Sequence, residues 1–317
     1  MRHSLKRFAL CSAPLALIFT LAAITWAVPA NGTAHSSVRA ATRELPRAIR
    51  FREVEGRGLL VSAWVNGAGP FTFAVDTGAG ATILSREVAS QARVAVSGKQ
   101  PLMLGGLSGA GAVASYEAIV RRLAVGDEQN ILPSKGLVIV TERLAPGIDG
   151  VLDPVEAYWP LGFEIDMAHG EMSAFDTSLS PLRRGANLPP DGTIVSWLMD
   201  GQSRRPFVML EGGRRALLDT GSGFGLALTQ DAARSLGIIP GRASDRRDVR
   251  DLAGGSIPAH RITPATIRVG ALVLRGIPTD LLPNARAGSP ILLGRDALRP
   301  FRLSFDPVAR LIRIVPG

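Results

Sequence analysis

Cysteine is almost absent from this chain of 317 residues: Cys11 is the only one, and it lies inside an apolar N-terminal segment. The rest of the chain therefore has no disulfide, no thiol nucleophile and no cysteine-ligated metal centre. Aromatic residues make up only 5%, with two tyrosines, and the 36 basic residues include just three lysines, Lys6, Lys99 and Lys135. The formal charge is +9, of which Arg2, Lys6 and Arg7 supply three, leaving about +6 for the remainder. The arginines are scattered or occur in pairs (Arg121-Arg122, Arg183-Arg184, Arg204-Arg205, Arg214-Arg215, Arg246-Arg247). Nucleic-acid binding would need a concentrated basic stripe with interleaved aromatics, so that class is excluded. A solvated surface with some attraction to anionic membrane fits the distribution better. His169 and His260 stand alone, in turn and loop contexts, without ligand-like spacing, so no metal or cofactor is expected. Long amphipathic helical patterns are missing as well.

One long apolar run exists, from Phe8 to Val28, behind Arg2, Lys6 and Arg7 and ahead of Ala27, Ala30 and Ala34. It reads as a secretory signal cut after Ala30, with an uncleaved membrane anchor as the alternative, since the run is long enough to span a bilayer. Either way the protein is expected to be exported, to the periplasm or beyond. Residues 31–49 read as a linker or short propeptide. Asn31-Gly32-Thr33 is a formal glycosylation sequon at this junction and carries little weight. The remaining chain, with 46% apolar content overall, is long enough for two cores of ordinary domain size.

The most informative feature present is a tripeptide that occurs twice, Asp76-Thr77-Gly78 and Asp219-Thr220-Gly221. Each closes an apolar run, Phe71 to Val75 and Ala216 to Leu218, and each is followed by a small residue and further glycine. Asp-x-Gly is commonly a turn whose Asp caps its own backbone. Two copies with matched flanks point further. A carboxylate at the end of a buried strand is costly, and two such carboxylates brought together cannot both ionise readily. One keeps a proton and the other acts as a base, which is equipment for splitting an amide with water.

The likeness of the halves extends beyond the tripeptide. Leu60–Gly67 parallels Ile194–Gly201, each a strand running into an Asn-Gly or Asp-Gly hairpin turn. Strands from Pro70-Phe71 and Pro206-Phe207 lead toward the two Asp residues, the second through a further turn at Glu211-Gly212-Gly213. Downstream, Ser85–Ser90 and Thr229–Arg234 read as short helices capped by Ser85 and Thr229, with an acid in each first turn. Each half ends in a late strand pair, Phe163–Asp166 with Glu171–Phe175 and Leu303–Asp306 with Arg310–Val315. The repeat is offset by 143 residues (219 − 76) and has two copies, so it is a duplicated domain and not a solenoid. The boundary is expected in the polar, Pro-bearing stretch 178–190, separating lobes at 50–177 and 191–317. The fold class is all-β with a few short helices.

With their flanks, Asp76-Thr77-Gly78-Ala79 and Asp219-Thr220-Gly221-Ser222 resemble the active-site turns of aspartic peptidases of the retropepsin-like and pepsin-like kind. Leu102–Gly109, with Gly105, Gly106, Leu107, Ser108 and Gly109, is similar to the Gly-rich flap of the retropepsins, which would cover and bind substrate. Ile291-Leu292-Leu293-Gly294-Arg295-Asp296 resembles the apolar-apolar-Gly motif behind the catalytic turn. The resemblance covers roughly residues 50 to 317. It implies two pseudo-twofold-related acid-protease lobes, closed and β-barrel-like. It implies a catalytic dyad of Asp76 and Asp219 activating a water, threonines Thr77 and Thr220 cross-bracing the turns, and Gly78 and Gly221 allowing close approach. It implies a peptide or protein substrate and, because both lobes lie in one chain, a monomer.

Two departures from the family pattern are visible. In the first half the motif reads Val151-Leu152-Asp153, with Asp153 where a glycine is expected, so the first lobe must adjust or the dyad is altered. Ala79 lacks the hydroxyl that Ser222 could offer Asp219, so Asp219 is expected to be the better supported carboxylate and the pH optimum less acidic than in the pepsins. A catalytically silent bilobed relative that binds peptide or protein is the rival reading. Tyr116, on the return strand of the expected flap, reads as a packing residue. The run Gly221-Ser222-Gly223-Phe224-Gly225 has nucleotide-fingerprint spacing, yet no βαβ pattern surrounds it.

Overall fold

Turn chemistry and short alternating apolar runs favour antiparallel hairpins, and the three sheets are built from these together with a few parallel pairings. The computed structural model describes residues 44–97, 100–105, 112–133, 136–201, 203–239, 245–250, 256–285 and 288–317. The expected signal, the linker up to residue 43 and flap residues Gly106, Leu107, Ser108 and Gly109 lie outside them. One sheet runs in the order β2 (Arg52–Val54), β3 (Gly58–Val65), β4 (Ala68–Val75), β10 (Gly150–Leu152), β5 (Ile83–Ser85), β9 (Leu137–Thr141), β7 (Val113–Ile119), β6 (Leu102–Leu104), with β8 (Leu123–Val125) paired to β3. A second repeats that order position for position: β14 (Leu198–Asp200), β15 (Ser203–Met209), β16 (Arg215–Asp219), β21 (Ile291–Gly294), β17 (Leu226–Leu228), β20 (Leu272–Leu281), β19 (Ser256–Val269), β18 (Asp245–Arg250). The third is shared by the two halves: β1 (Ile49–Arg50), β12 (Glu171–Phe175), β11 (Gly162–Asp166), β22 (Phe301–Asp306), β23 (Leu311–Pro316), β13 (Thr193–Ser196). Among the described residues the parallel pairings are β4 with β10, β5 with β9, β16 with β21 and β17 with β20.

The expected late strand pairs are thus present, and they meet. β11 lies antiparallel to β22, with Phe163 opposite Phe305 and Ile165 opposite Leu303. Strand pairing starts at Ile49, which is buried and lies opposite Met172. The capped helices are also present. Ser85 Oγ accepts from the Val88 N–H at the start of α1 (Arg86–Gln91). Pro154–Ala157 forms a four-residue helix, α2, after β10. Thr229 Oγ1 accepts from the Ala232 N–H at the start of α3 (Gln230–Ser235). Arg295–Leu298 forms α4 after β21, at the position α2 holds in the first half.

The topology corrects one pairing of the repeat. Leu60 lies opposite Ala74, and Phe207 opposite Leu217, each two residues before its Asp. The counterpart of β3 is therefore β15, and that of the Asn66-Gly67 turn is Glu211-Gly212-Gly213. Asn66 and Gly67 have φ of 51° and 86°, the left-handed pair that a tight hairpin turn requires. The segment from Ile194 instead enters the shared sheet as β13, the counterpart of β1. Both candidate segments are apolar and end in an Asx-Gly turn, so local pattern alone does not say which hairpin abuts the Asp strand. His260, expected in a loop, lies in β19 opposite Arg246 and Leu281.

Packing ties the halves together beneath the shared sheet. Phe163 and Phe305 stack with centroids 4.6 Å apart and planes inclined by 11°. Trp197 meets Phe305 edge-on at 5.9 Å, and Tyr158 lies 5.9 Å from Phe163. All four are buried in one continuous core. Phe305→Ala should cost about 3–5 kcal/mol, since the ring contacts residues of both halves and leaves a cavity between them. Urea denaturation of the variant measures this, and a loss below about 1 kcal/mol would contradict the packing role.

Candidate active site

Each Asp-Thr-Gly turn is delivered by the end of an apolar strand, β4 or β16, and locked from behind by a parallel neighbour. Asp76 donates its N–H to Leu152 O at 2.9 Å, and Leu152 lies opposite Val75. In the second half Leu293 lies opposite Leu218, and Gly294 opposite Asp219. The register places Leu152 with Leu293 and Asp153 with Gly294.

The two turns, 143 residues apart in sequence, interlock. Thr77 N–H donates to Thr220 Oγ1 and Thr220 N–H to Thr77 Oγ1, both at 3.1 Å. The hydroxyls then donate onward across the interface, Thr77 to Leu218 O at 2.7 Å and Thr220 to Val75 O at 3.3 Å. Both threonines are fully buried, so each polar atom in this ring has its partner in the opposite half. Gly78 and Gly221 complete the fit. A Cβ on Gly78 would sit 2.9 Å from Asp219 Cγ, and one on Gly221 only 2.3 Å from Asp76 Cγ. The demand for glycine here is steric, since each carboxyl packs against the backbone of the opposite turn.

The carboxyls of Asp76 and Asp219 therefore meet at the seam, close enough that each acts on the other's titration. Burial raises both above the ordinary value of 3.8. Asp76 is relieved by two backbone donors, Gly78 N–H at 2.7 Å and Gly221 N–H, by the proton of Asp219 and by Arg295. Asp219 is pushed much further, by burial first and then by the charge of Asp76, with Ser222 N–H at 3.0 Å and Arg295 opposing. The two therefore titrate as a coupled pair, with Asp219 raised the further. Ser222 was expected to support Asp219 through its hydroxyl. That residue reaches Asp219 through its N–H, while its Oγ accepts from Phe224 N–H at 3.3 Å.

Arg295 was overlooked in the sequence, where its motif was read for the glycine alone. It is buried, and its Nη1 donates to Thr220 O and Gly221 O, both at 2.8 Å. Its Nε lies 3.4 Å from Glu53 Oε1 in the first half, which Arg299 also reaches at 2.8 Å. The opposite flank is bridged by Arg204 and Glu156 at 2.8 Å, with the Arg204 guanidinium 3.9 Å from the centre of the Trp159 ring. Asp153, at the position of Gly294, is buried and accepts from Val155 N–H at 2.9 Å as the N-cap of α2.

Of the expected flap, β6, β7 and Gly105 are described. A Cβ on Gly105 would meet only Ala112 Cβ, at 3.9 Å, so nothing steric demands glycine there. Tyr116 lies in β7 opposite Val140, partly buried. The hairpin strands β18 and β19 occupy the equivalent place in the second half, which the sequence reading missed although Gly254-Gly255 lies between them. His169 is an exposed turn residue with Nδ1 3.0 Å from Asp166. Among the described residues no group of three or more His, Cys, Asp or Glu is placed to hold a metal ion.

The family model described as Aspartyl protease matches this chain twice, over residues 61–152 and 211–297, one match for each turn and its supporting strands. Among solved structures the fold is similar to that of the aspartic proteinase from Irpex lacteus, with a TM-score of 0.56 and 11% identity, covering 86% of this chain and 97% of that one. No curated protein matches the chain. With the family model covering more than half of its residues and both halves built on one topology, the chain belongs to the aspartyl protease family, with two lobes in a single polypeptide.

Proposed function

We propose that this chain is an aspartic endopeptidase that completes its active site as a monomer, with Asp76 and Asp219 as the catalytic dyad. The observation that carries the reading is the meeting of two carboxyls, each packed against the glycine of the opposite turn, held by turns that interlock through Thr77 and Thr220. A water held between the carboxyls would lie within reach of both. Ionised Asp76 takes a proton from that water as its oxygen attacks the scissile carbonyl carbon. Protonated Asp219 donates to the carbonyl oxygen as negative charge develops there. In the tetrahedral intermediate the proton on Asp76 passes to the leaving nitrogen, the C–N bond breaks, and Asp219 recovers its proton from the hydroxyl that becomes the new carboxyl. No covalent bond to the enzyme forms. Ser222 N–H and Arg295 support the site from behind, and an extended peptide would lie across the dyad between the two half-sheets.

The rival, a silent binding relative, rests on Asp153. Its carboxyl lies behind the first turn and leaves the turn's hydrogen bonds in place, which favours the enzyme. Fluorescein-labelled denatured casein should be cleaved by the wild-type chain, with activity reduced at least about 10³-fold in Asp76→Asn and in Asp219→Asn. Cleavage that survives both substitutions would assign it to something other than the dyad.

The acid limb of the pH profile should follow Asp76, whose carboxyl is raised above 3.8. Activity should therefore fall as pH drops through that region, and an optimum below about pH 3 would contradict the assignment. Arg295→Met removes a cation that lowers both carboxyls and leaves two backbone carbonyls without their partner, while Glu53 keeps Arg299. It should move the acid limb to higher pH and cost about 3 kcal/mol in chemical denaturation.

We further propose that the enzyme acts outside the cytoplasm, on the strength of the basic and apolar segment from Arg2 to Val28. Fractionation of cells expressing the full chain should recover it in the periplasm, the membrane or the medium. Recovery in the cytosol would refute export.

A further inference from the structure

Asp153 is a buried titratable group that the reaction above does not use. It occupies the place of Gly294, so the duplicated halves offer an internal comparison. In the second half no side chain fits there. A Cβ on Gly294 would lie 2.5 Å from Phe224 O, 2.8 Å from Ser222 O and 3.1 Å from Ser222 Oγ. In the first half the residue at the Ser222 position is Ala79, and a carboxyl is buried behind the turn instead. Hydroxyl plus glycine on one side is exchanged for methyl plus carboxyl on the other.

Helix capping alone does not account for this carboxyl. The helix α4, at the same place in the second half, begins at Gly294 without any side-chain cap. Serine, threonine or asparagine would cap α2 as well as aspartate does, without a buried acid. The Asp153 N–H donates to Thr82 Oγ1 at 3.2 Å, and its Oδ1 accepts from Val155 N–H. The charged groups that face it are Glu156 on its own helix, itself paired with Arg204, and Asp76 at the end of β4. Burial and both of these anions act in one direction, toward keeping the proton on Asp153.

We propose that Asp153 is a positioning residue that works as a neutral acid behind Asp76, holding the site to one negative charge, and that loss of its proton contributes to the alkaline limit of activity. The proposal rests on the reading of Asp76 and Asp219 as the dyad. With Asp153 protonated, Asp76 bears the single charge that activates water. Once Asp153 ionises, a second buried anion faces Asp76, and the added negative charge opposes the charge that develops on the scissile carbonyl oxygen.

The test compares the wild-type chain with Asp153→Asn, which preserves the capping acceptor but has no proton to lose. Asp153→Ser, also a capping residue, repeats the comparison should the Asn variant fail to fold. The first readout is Tm between pH 4 and 7, which needs no activity. An acid whose folded pKa lies above its unfolded value stabilises fully below the unfolded value, near 3.8, and that contribution is lost as pH rises through the folded value. The wild type should therefore lose Tm with rising pH faster than the variant, by about 3 °C or more across the range. Parallel curves would overturn the proposal and leave Asp153 as a cap. The second readout is kcat/KM on fluorescein-labelled casein, whose alkaline limb should move up by about half a pH unit or more in the variant. A limb that stays in place while the melting curves diverge would overturn the catalytic part and retain the neutral acid. A wild-type chain that cleaves nothing would refute the peptidase reading, and the melting curves would still accept or reject the protonated Asp153.

Discussion

The exchange of hydrogen bonds between Thr77 and Thr220 is the constraint from which the rest of the site follows. Two buried hydroxyls each accept from the opposite turn's backbone and donate to a carbonyl of the opposite strand. None of these groups can find water at this depth, so loss of either hydroxyl would leave an N–H and a carbonyl of the opposite half unpaired. The close approach that this ring enforces is what requires glycine at positions 78 and 221, where any side chain would collide with the facing carboxyl. The same approach brings the two carboxyls close enough to raise each other's burden of charge, which acts to keep a proton on the pair. The chemistry is a consequence of the interlock, and the shared six-stranded sheet holds the halves in register around it.

Around this symmetric centre the flanks are deliberately unequal in their charges. Arg295 braces the second turn and reaches Glu53 of the first half, whereas the corresponding position in the first half is Pro154. On the opposite flank the cation comes from Arg204 and the anion from Glu156, so both seams carry an ion pair whose cation lies in the second half and whose anion lies in the first. A buried arginine so close to two carboxyls offsets part of their desolvation. Asp153 acts from the other half by withholding a charge instead of adding one.

Much of the centre was legible in the sequence, because an active turn concentrates its chemistry in contiguous residues. Asp76-Thr77-Gly78 and Asp219-Thr220-Gly221 carry the carboxyl, the cross-bracing hydroxyl and the steric fit within three positions each. The caps Ser85 and Thr229 were readable for the same reason, since a cap and its helix are neighbours in the chain. What escaped was non-local. Arg295 meets Glu53 across 242 residues, and no local pattern distinguishes it from the many surface arginines. The pairing of β11 with β22 joins halves whose strands are each self-consistent alone. The assignment of Ile194–Gly201 to the wrong repeat position arose because two successive hairpins share one turn chemistry. Ser222 was misread for a subtler reason: its hydroxyl was weighed, while its backbone N–H makes the contact.

A fused pair of lobes can do something that two identical chains cannot. In a symmetric dimer every substitution appears twice, so both carboxyls see the same surroundings and neither is marked as acid or base before substrate arrives. Here the N–H groups of Gly78 and Gly221 lower Asp76, while Asp219 is met by that of Ser222 and stands against the charge of its partner. Asp219 is thereby raised further than Asp76. Asp153 and Arg295, each present in one half only, sit behind the turns where they perturb the dyad without entering the path of a peptide. Duplication followed by divergence at such positions lets the chain set the protonation of its site separately from the geometry, which the Thr77–Thr220 interlock keeps symmetric.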